Sequence, residues 1–200
     1  KKKVFILMVL ICVIGKIFSQ TADTILYYTN SSFQTTTNGA TAAVSDCIRL
    51  PIVTLGNNFT METWFKLESF ANNNFPRIFD FGVATFTKTS LIINSSGQLM
   101  LLYGNAPNTA NILPVVNIGV GSWNHYALTV TGGNNLKLYM NGVLVFVTSV
   151  GFGTPVTTYT VNYLASQSDQ TQAPTIGCYA DFRIWKRERT AAEIMGSTLR

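Results

Sequence analysis

The clearest hydrophobic alternation in the chain runs through Ser122–Val147, SWNHYALTVTGGNNLKLYMNGVLVFV. Tyr126, Leu128 and Val130 alternate with His125, Ala127 and Thr129, the period of two that a half-buried strand requires. Gly132-Gly133-Asn134-Asn135 breaks the pattern, a second strand follows, and Asn141-Gly142 precedes a third. An Asn-Gly pair readily takes the left-handed backbone of a type I′ turn, whose twist matches antiparallel strands. The segment therefore predicts a three-stranded meander. Each strand has one apolar face, which must be covered by a second layer.

The same signals recur on both sides of this meander. Cys47-Ile48-Arg49-Leu50 stops at Pro51, and Phe59–Leu67 sets Phe59, Met61, Thr63, Phe65 and Leu67 against Thr60, Glu62, Trp64 and Lys66. Arg77–Val83 sets Ile78 and Asp80 against Phe79 and Phe81. Lys88–Asn94 and Gln98–Tyr103 flank Ser95-Ser96-Gly97 as a hairpin. Further strands are expected at Ile25–Asn30, Thr157–Ala165 and Ile176–Lys186. One helix is expected: Thr190-Ala191-Ala192-Glu193 spells a capping box, and Gly196 offers a stop. Many short strands with one short C-terminal helix predict an all-β fold, a two-sheet antiparallel jelly-roll sandwich.

The N-terminus does not belong to this pattern. Lys1-Lys2-Lys3 leads into the apolar run Val4–Ile14, then Gly15-Lys16 and a polar stretch. A charged start, a short apolar core and a small residue at Ser19 make residues 1–19 a secretory signal, cut near Ser19 or Ala22, with residues 20–200 as one domain. A membrane anchor is the competing reading, but spanning hydrocarbon takes about 20 apolar residues; contact with a membrane is expected only through this segment if it is retained. Four of the 14 Lys and Arg lie in it, leaving 10 against nine Asp and Glu. No basic stripe remains to collect phosphates, so nucleic acid is excluded as a partner. Arg183, Lys186, Arg187 and Arg189 stand among Asp181, Glu188 and Glu193 and read as a solvated face.

Export also bears on the cysteines. Cys12 falls in the signal, leaving Cys47 and Cys178, and an isolated pair in an oxidising compartment is expected to form a disulfide. In the chain-entropy model so long a loop is worth about 4–5 kcal/mol; two unpaired buried thiols are the alternative. Asn30, Asn58 and Asn94 each head an Asn-X-Ser/Thr sequon and are candidate glycosylation sites at strand ends or turns.

Three blocks together resemble the concanavalin A-like superfamily, in its laminin-G-like and pentraxin-like branch. FTMETWFKL is similar to the family's early strand. SWNHYALTVTGGNNLKLYMNGVLV resembles its Trp-X-His strand and the following Leu-Tyr-hydrophobic-Asn-Gly strand. GCYADFRIWKRERTAAEI resembles the closing strand and short helix, with Gly177, Arg183, Ile184, Trp185, Thr190 and Glu193 at matching mutual spacing. Arg189 departs from the pattern, standing where the family usually has an apolar residue before the helix. The resemblance implies a fold used for binding glycans, proteins or lipids and, in some branches, for catalysis. It also implies calcium as a possible ligand, for which Asp80, Asp169 and Asn72-Asn73-Asn74 are candidates; with so few carboxylates the site is expected to be weak, and no other cofactor is expected.

Catalysis fares poorly against the residues present. A glycoside hydrolase needs paired carboxylates, and no two acids lie two positions apart. Glu62 beside Trp64 is the nearest approach and reads as a solvent-facing strand carboxylate. His125, the only histidine, has no nucleophile elbow to serve, and the resemblance implies a structural role with its ring satisfied by backbone. Trp64, Trp123 and Trp185 are expected to pack between the sheets. The chain therefore reads as a secreted, non-enzymatic module that recognises an extracellular glycan or protein at the sandwich rim. The alternative is a structural subunit that self-assembles through exposed strand edges.

Overall fold

The computed structural model describes residues 24–28, 33–34, 47–70, 75–83, 87–105, 108–112, 116–150, 158–168 and 174–199. Its strands, numbered along the chain, begin with β1 (Thr24–Tyr28), β2 (Phe33–Gln34), β3 (Ile48–Leu50), β4 (Val53–Thr54) and β5 (Phe59–Ser69). There follow β6 (Arg77–Gly82), β7 (Lys88–Ile93), β8 (Leu99–Asn105), β9 (Asn108–Ile112) and β10 (Trp123–Thr131). The last are β11 (Asn135–Met140), β12 (Val143–Ser149), β13 (Thr158–Tyr159), β14 (Val161–Leu164) and β15 (Ile176–Trp185), ahead of helix α1 (Ala191–Ser197). Residues 1–23, which hold the signal expected at 1–19, lie outside the described residues.

Two antiparallel sheets make the sandwich. The first runs β1-β15-β5-β10-β11-β12, with β2 also paired to β15; the second runs β3-β14-β6-β7-β8-β9. A short β13-β4 pair forms a third sheet. The alternation along β5 explains the layering. Phe59, Met61, Phe65 and Leu67 are essentially inaccessible and join Phe79, Phe81, Leu91, Tyr126, Leu128 and Phe182 in one apolar core. Phe182 stacks on Phe81 with centroids 6.0 Å apart, which ties β15 to β6 across the gap between sheets. Burying a side chain of this size is worth about 1.5–3 kcal/mol, so the many such positions dominate the fold's stability.

The expected meander is β10-β11-β12, and its Asn141-Gly142 turn has φ of 52° and 79°, the left-handed pair of a type I′ turn. Asn141 does more than turn the chain. Its Oδ1 accepts from the His125 N–H at 2.9 Å and its Nδ2 donates to Asn124 Oδ1 at 2.9 Å. Gly177 serves a close approach: a Cβ there would stand 2.7 Å from the Lys66 carbonyl and from the Phe65 ring, where β15 passes β5. The capping box forms, with Thr190 Oγ1 accepting from the Glu193 N–H and the Glu193 carboxylate accepting from the Thr190 N–H. Gly196 does not stop the helix, which continues to Ser197 and ends at Thr198.

No disulfide joins Cys47 and Cys178. Cys47 leads into β3 of the second sheet, whereas Cys178 lies on β15 of the first. Tyr179 points into the core, so its neighbour Cys178 projects from the opposite, outer face, where its thiol donates to Glu68 Oε1 at 3.5 Å.

Candidate functional site

The outer face of the first sheet carries the side chains with chemistry to offer, and the strand registers place them in rows. Arg183, Glu62, Ala127 and Tyr139 lie side by side on β15, β5, β10 and β11. Trp64 sits opposite His125, and Lys66 sits between Cys178 and Trp123. The first row is covered and the last is open.

Glu62 is fully buried, contrary to the solvent-facing position expected for it. The strand alternation does put it outside the core, but the chain returns after β15 and lays residues 186–189 and α1 over it. Arg189 Nη1 donates to both carboxylate oxygens, at 2.7 and 2.6 Å. Trp185 Nε1 donates to Oε1 at 3.0 Å, and Arg183 Nη1 does so at 3.3 Å. Arg189 also donates to Ser197 Oγ at 2.7 Å and to the Glu193 carbonyl at 2.9 Å, and its guanidinium stacks 4.5 Å from the Trp185 ring centroid. Thr60 Oγ1 accepts from the Arg189 N–H and donates to the Arg187 carbonyl. Ile194 of α1 packs on Ala127 and Tyr139. The departure at Arg189 thus has a physical reason: it fills the space beneath the helix and neutralises Glu62. The solvated basic face expected around it is only half there: Arg183 and Arg189 are buried, whereas Lys186 is exposed and Arg187, paired with Glu193 at 2.6 Å, is half-buried.

His125 is 2% exposed. Its Nε2 stands 3.9 Å from Glu62 Oε2, its Nδ1 has no hydrogen-bond partner, and its ring meets Trp64 edge-on at 5.4 Å. The ring is not satisfied by backbone, contrary to what the resemblance implied. Burial pushes its pKa down to about 4, with Glu62 opposing and Arg183 and Arg189 adding to the shift. It is therefore neutral near pH 7. Among the described residues no hydroxyl or thiol is hydrogen-bonded to the ring.

None of the three tryptophans packs between the sheets. Trp185 is half-buried over the Glu62 cluster, Trp64 is half-buried beside His125, and Trp123 is 39% exposed. All three alternate to the outer face with Glu62 and Lys66. Trp123 opens β10 at the rim, directly after a turn whose Gly121 N–H donates to the Leu67 carbonyl at 2.7 Å. The Lys66 ammonium lies 5.7 Å from its ring centroid, a cation–π contact. Lys66 is itself held 2.5 Å from Glu68 Oε1, and that bond raises the Lys66 pKa and lowers that of Glu68. The Cys178 thiol, pushed up chiefly by burial and then by Glu68, completes the floor. The result is an open indole flanked by one cationic donor and one anionic acceptor.

The remaining expected positions separate cleanly. Asp80 is fully buried, accepts from Ser90 Oγ at 2.8 Å, and faces Arg77 and Lys88 at 3.6 and 3.9 Å. A calcium ion there would have to displace two basic side chains, so Asp80 does not fit a calcium ligand. Asp169 and Asn72–Asn74 lie outside the described residues, which include no cluster of three acidic, His or Cys side chains able to hold a metal. Asn30 also lies outside them. Asn58 is exposed, and its Oδ1 accepts from the Gly132 N–H at 2.8 Å. Asn94 is half-buried and committed to its own turn, accepting from the N–H of Ser96 and Gln98 and donating to Gln98 Oε1. No helix among the described residues is long and apolar enough to cross a membrane.

Known proteins share this arrangement of strands. A family model described as the concanavalin A-like lectin/glucanases superfamily matches residues 27–195. No curated protein matches the chain. Among solved structures, domain 4 of the extracellular arabinanase AbnA of Geobacillus stearothermophilus, in complex with arabinotriose, has a TM-score of 0.59 at 22% identity, over 75% of this chain and 71% of that one. The native heptameric SAP-like pentraxin of Limulus polyphemus gives 0.54 at 20% identity, over 75% and 72%. Botulinum neurotoxin type C, described as interacting with two ganglioside molecules, gives 0.56 at 20% identity; the match takes in 73% of this chain but only 36% of the toxin chain.

Proposed function

The chain belongs to the concanavalin A-like lectin/glucanases superfamily, and from that premise we propose that it is a secreted, non-enzymatic recognition module that binds a glycan at the Trp123 rim of its first sheet. The observation that carries this reading is the contrast between two carboxylates on one strand. Glu62, the one with catalytic-looking neighbours, is sealed beneath α1 and saturated by arginines. Glu68 stays accessible, pinned to Lys66 beside a 39% exposed indole. An indole face covers the C–H face of a sugar ring, while a lysine and a carboxylate donate to and accept from its hydroxyls. The arabinotriose and gangliosides named for two fold relatives are ligands of this chemical kind. Secretion rests on the charged and apolar start of the chain, and among the described residues Asn58 is the exposed sequon asparagine, open to a glycan of its own.

A glycan array probed with the purified chain and with Trp123→Ala tests the reading. The chain is expected to bind a discrete set of glycans, and Trp123→Ala to lose about thirtyfold in affinity, the effect of removing an anchor worth about 2 kcal/mol. No bound glycan, or binding unchanged in Trp123→Ala, refutes it.

A further inference from the structure

The charge beside Trp123 is closed on itself. Residues 94–124, which take in Trp123 and the turn before it, include no charged side chain, and neither do residues 69–76, which follow Glu68. On the outer face the register sets Lys66 between Cys178 and Trp123, with Ala180, Trp64 and His125 in the next row, and His125 is neutral near pH 7. Among the described residues, the charge within reach of the indole is therefore that of Lys66 and Glu68, whose side chains are 24 and 29% exposed. Glu68 Oε1 accepts from the Lys66 ammonium at 2.5 Å and from the Cys178 thiol at 3.5 Å. The same ammonium lies 5.7 Å from the Trp123 ring centroid. Their mutual bond is the largest cause raising Lys66 and lowering Glu68, so both are charged near pH 7 and their charges cancel.

A charged ligand gains from such a pair only by breaking it. A uronic-acid carboxylate reaches Lys66 by displacing Glu68, and two carboxylates then stand beside one ammonium. An amino sugar reaches Glu68 by displacing Lys66, which gives up its place against the indole. Hydroxyls meet no such conflict. Lys66 keeps N–H groups to donate and Glu68 keeps lone pairs to accept, with the pair intact. Donor and acceptor stand side by side, so two neighbouring hydroxyls of one sugar engage both while its C–H face lies on the indole. We propose that the Trp123 rim selects uncharged sugars over their uronic-acid and amino-sugar counterparts, with the Lys66–Glu68 pair as the specificity device. This inference rests on the glycan reading of that rim. Glu68 sets the sign of the selection: without its charge, Lys66 stands beside the indole as an unpaired cation and favours an anionic sugar.

An array of matched sets tests the selection, each set printing an uncharged oligosaccharide beside its uronic-acid and amino-sugar counterparts. The parent chain is expected to bind the uncharged member about fivefold more tightly than either charged one, a difference of the size an exposed ion pair supplies. Glu68→Gln is expected to gain about fivefold for the uronic acid, and Lys66→Gln about fivefold for the amino sugar. Each variant should melt within about 3 °C of the parent, because the pair is at the surface. The parent's affinity for the uncharged member should hold steady as salt rises, whereas that of Glu68→Gln for the uronic acid should weaken. A parent that binds a charged member as tightly as the uncharged one, with binding lost in Trp123→Ala, overturns the selection and leaves the glycan reading standing. A folded Glu68→Gln variant with no gain for the uronic acid does the same. Should a variant fail to fold, the parent's ranking and its salt series decide. A chain that binds no member of any set, or binds unchanged in Trp123→Ala, refutes the glycan reading and the selection with it.

Discussion

Glu62→Gln separates a structural carboxylate from a working one. Glutamine keeps the shape of the side chain and one acceptor oxygen but removes the negative charge and turns an NH2 group toward a guanidinium. Arg189, 9% exposed, would then lose its carboxylate partner in a buried site, while Arg183, 4% exposed, would lose Glu62 and keep Asp181 at 3.1 Å. Removing one partner of a buried ion pair costs about 3–5 kcal/mol, and each lost charge-assisted hydrogen bond accounts for about 1.5–3 kcal/mol of such a total. Against a domain stability of about 5–15 kcal/mol, that is roughly a fifth or more of what holds the chain folded. The expected fall in melting temperature is roughly 6–20 °C. Urea unfolding followed by far-UV circular dichroism should show a lower midpoint with an unchanged slope. Glu62→Gln combined with Arg189→Met should recover part of the loss, because the second change removes the charge that the first strands. A Glu62→Gln protein within about 1 kcal/mol of the parent refutes the reasoning, and so does one that keeps its stability but loses glycan binding.

The other predictions follow from the same coordinates. His125, held at about 4 by burial against about 6.5 when unfolded, makes the unfolded chain bind the extra proton first; its contribution is complete above pH 6.5 and is lost as pH falls toward 4, by about 3 kcal/mol in all. Urea midpoints measured from pH 7 to pH 4 should therefore fall in the parent and flatten in His125→Gln, and parallel curves contradict this. Glu193, lowered to about 2 by Arg187 and the Thr190 cap, contributes stability above about 4.5 that disappears below that range, so Glu193→Gln should narrow the further loss between pH 4.5 and 2. Gly177→Ala pushes a methyl toward the Lys66 carbonyl at 2.7 Å and should cost about 1–3 kcal/mol; an unchanged melting temperature refutes that close approach.

The strands were legible because a period of two survives in one sequence, and the capping box at Thr190 was legible because its residues are local. Which outer positions meet water was not. Glu62 and Thr60 share the outer face with Lys66, and nothing within β5 separates them; the cover comes from Arg187, Arg189 and α1, more than 120 positions later. The one signal was paired: an acid on an aromatic strand and an arginine where the family pattern has an apolar residue. The tryptophans were misplaced by treating strand membership as burial, although Trp64 falls in the same alternation as Glu62. The cysteines show the same limit. Spacing and compartment suggest a bond, but Cys178 stands next to inward-facing Tyr179, and that parity turns its thiol away from the core and toward Glu68.

The central claim is that ligand meets Trp123 at the open rim and does not reach the sealed Glu62 cluster. A 1H–15N correlation spectrum reports it through three indole N–H signals, recorded as an array-identified glycan is titrated in. The signal of Trp123 should shift strongly, that of half-buried Trp64 less, and that of Trp185, whose Nε1 donates to Glu62 at 3.0 Å, should stay fixed. A shift confined to Trp185, or saturation with the Trp123 signal unmoved, contradicts the account.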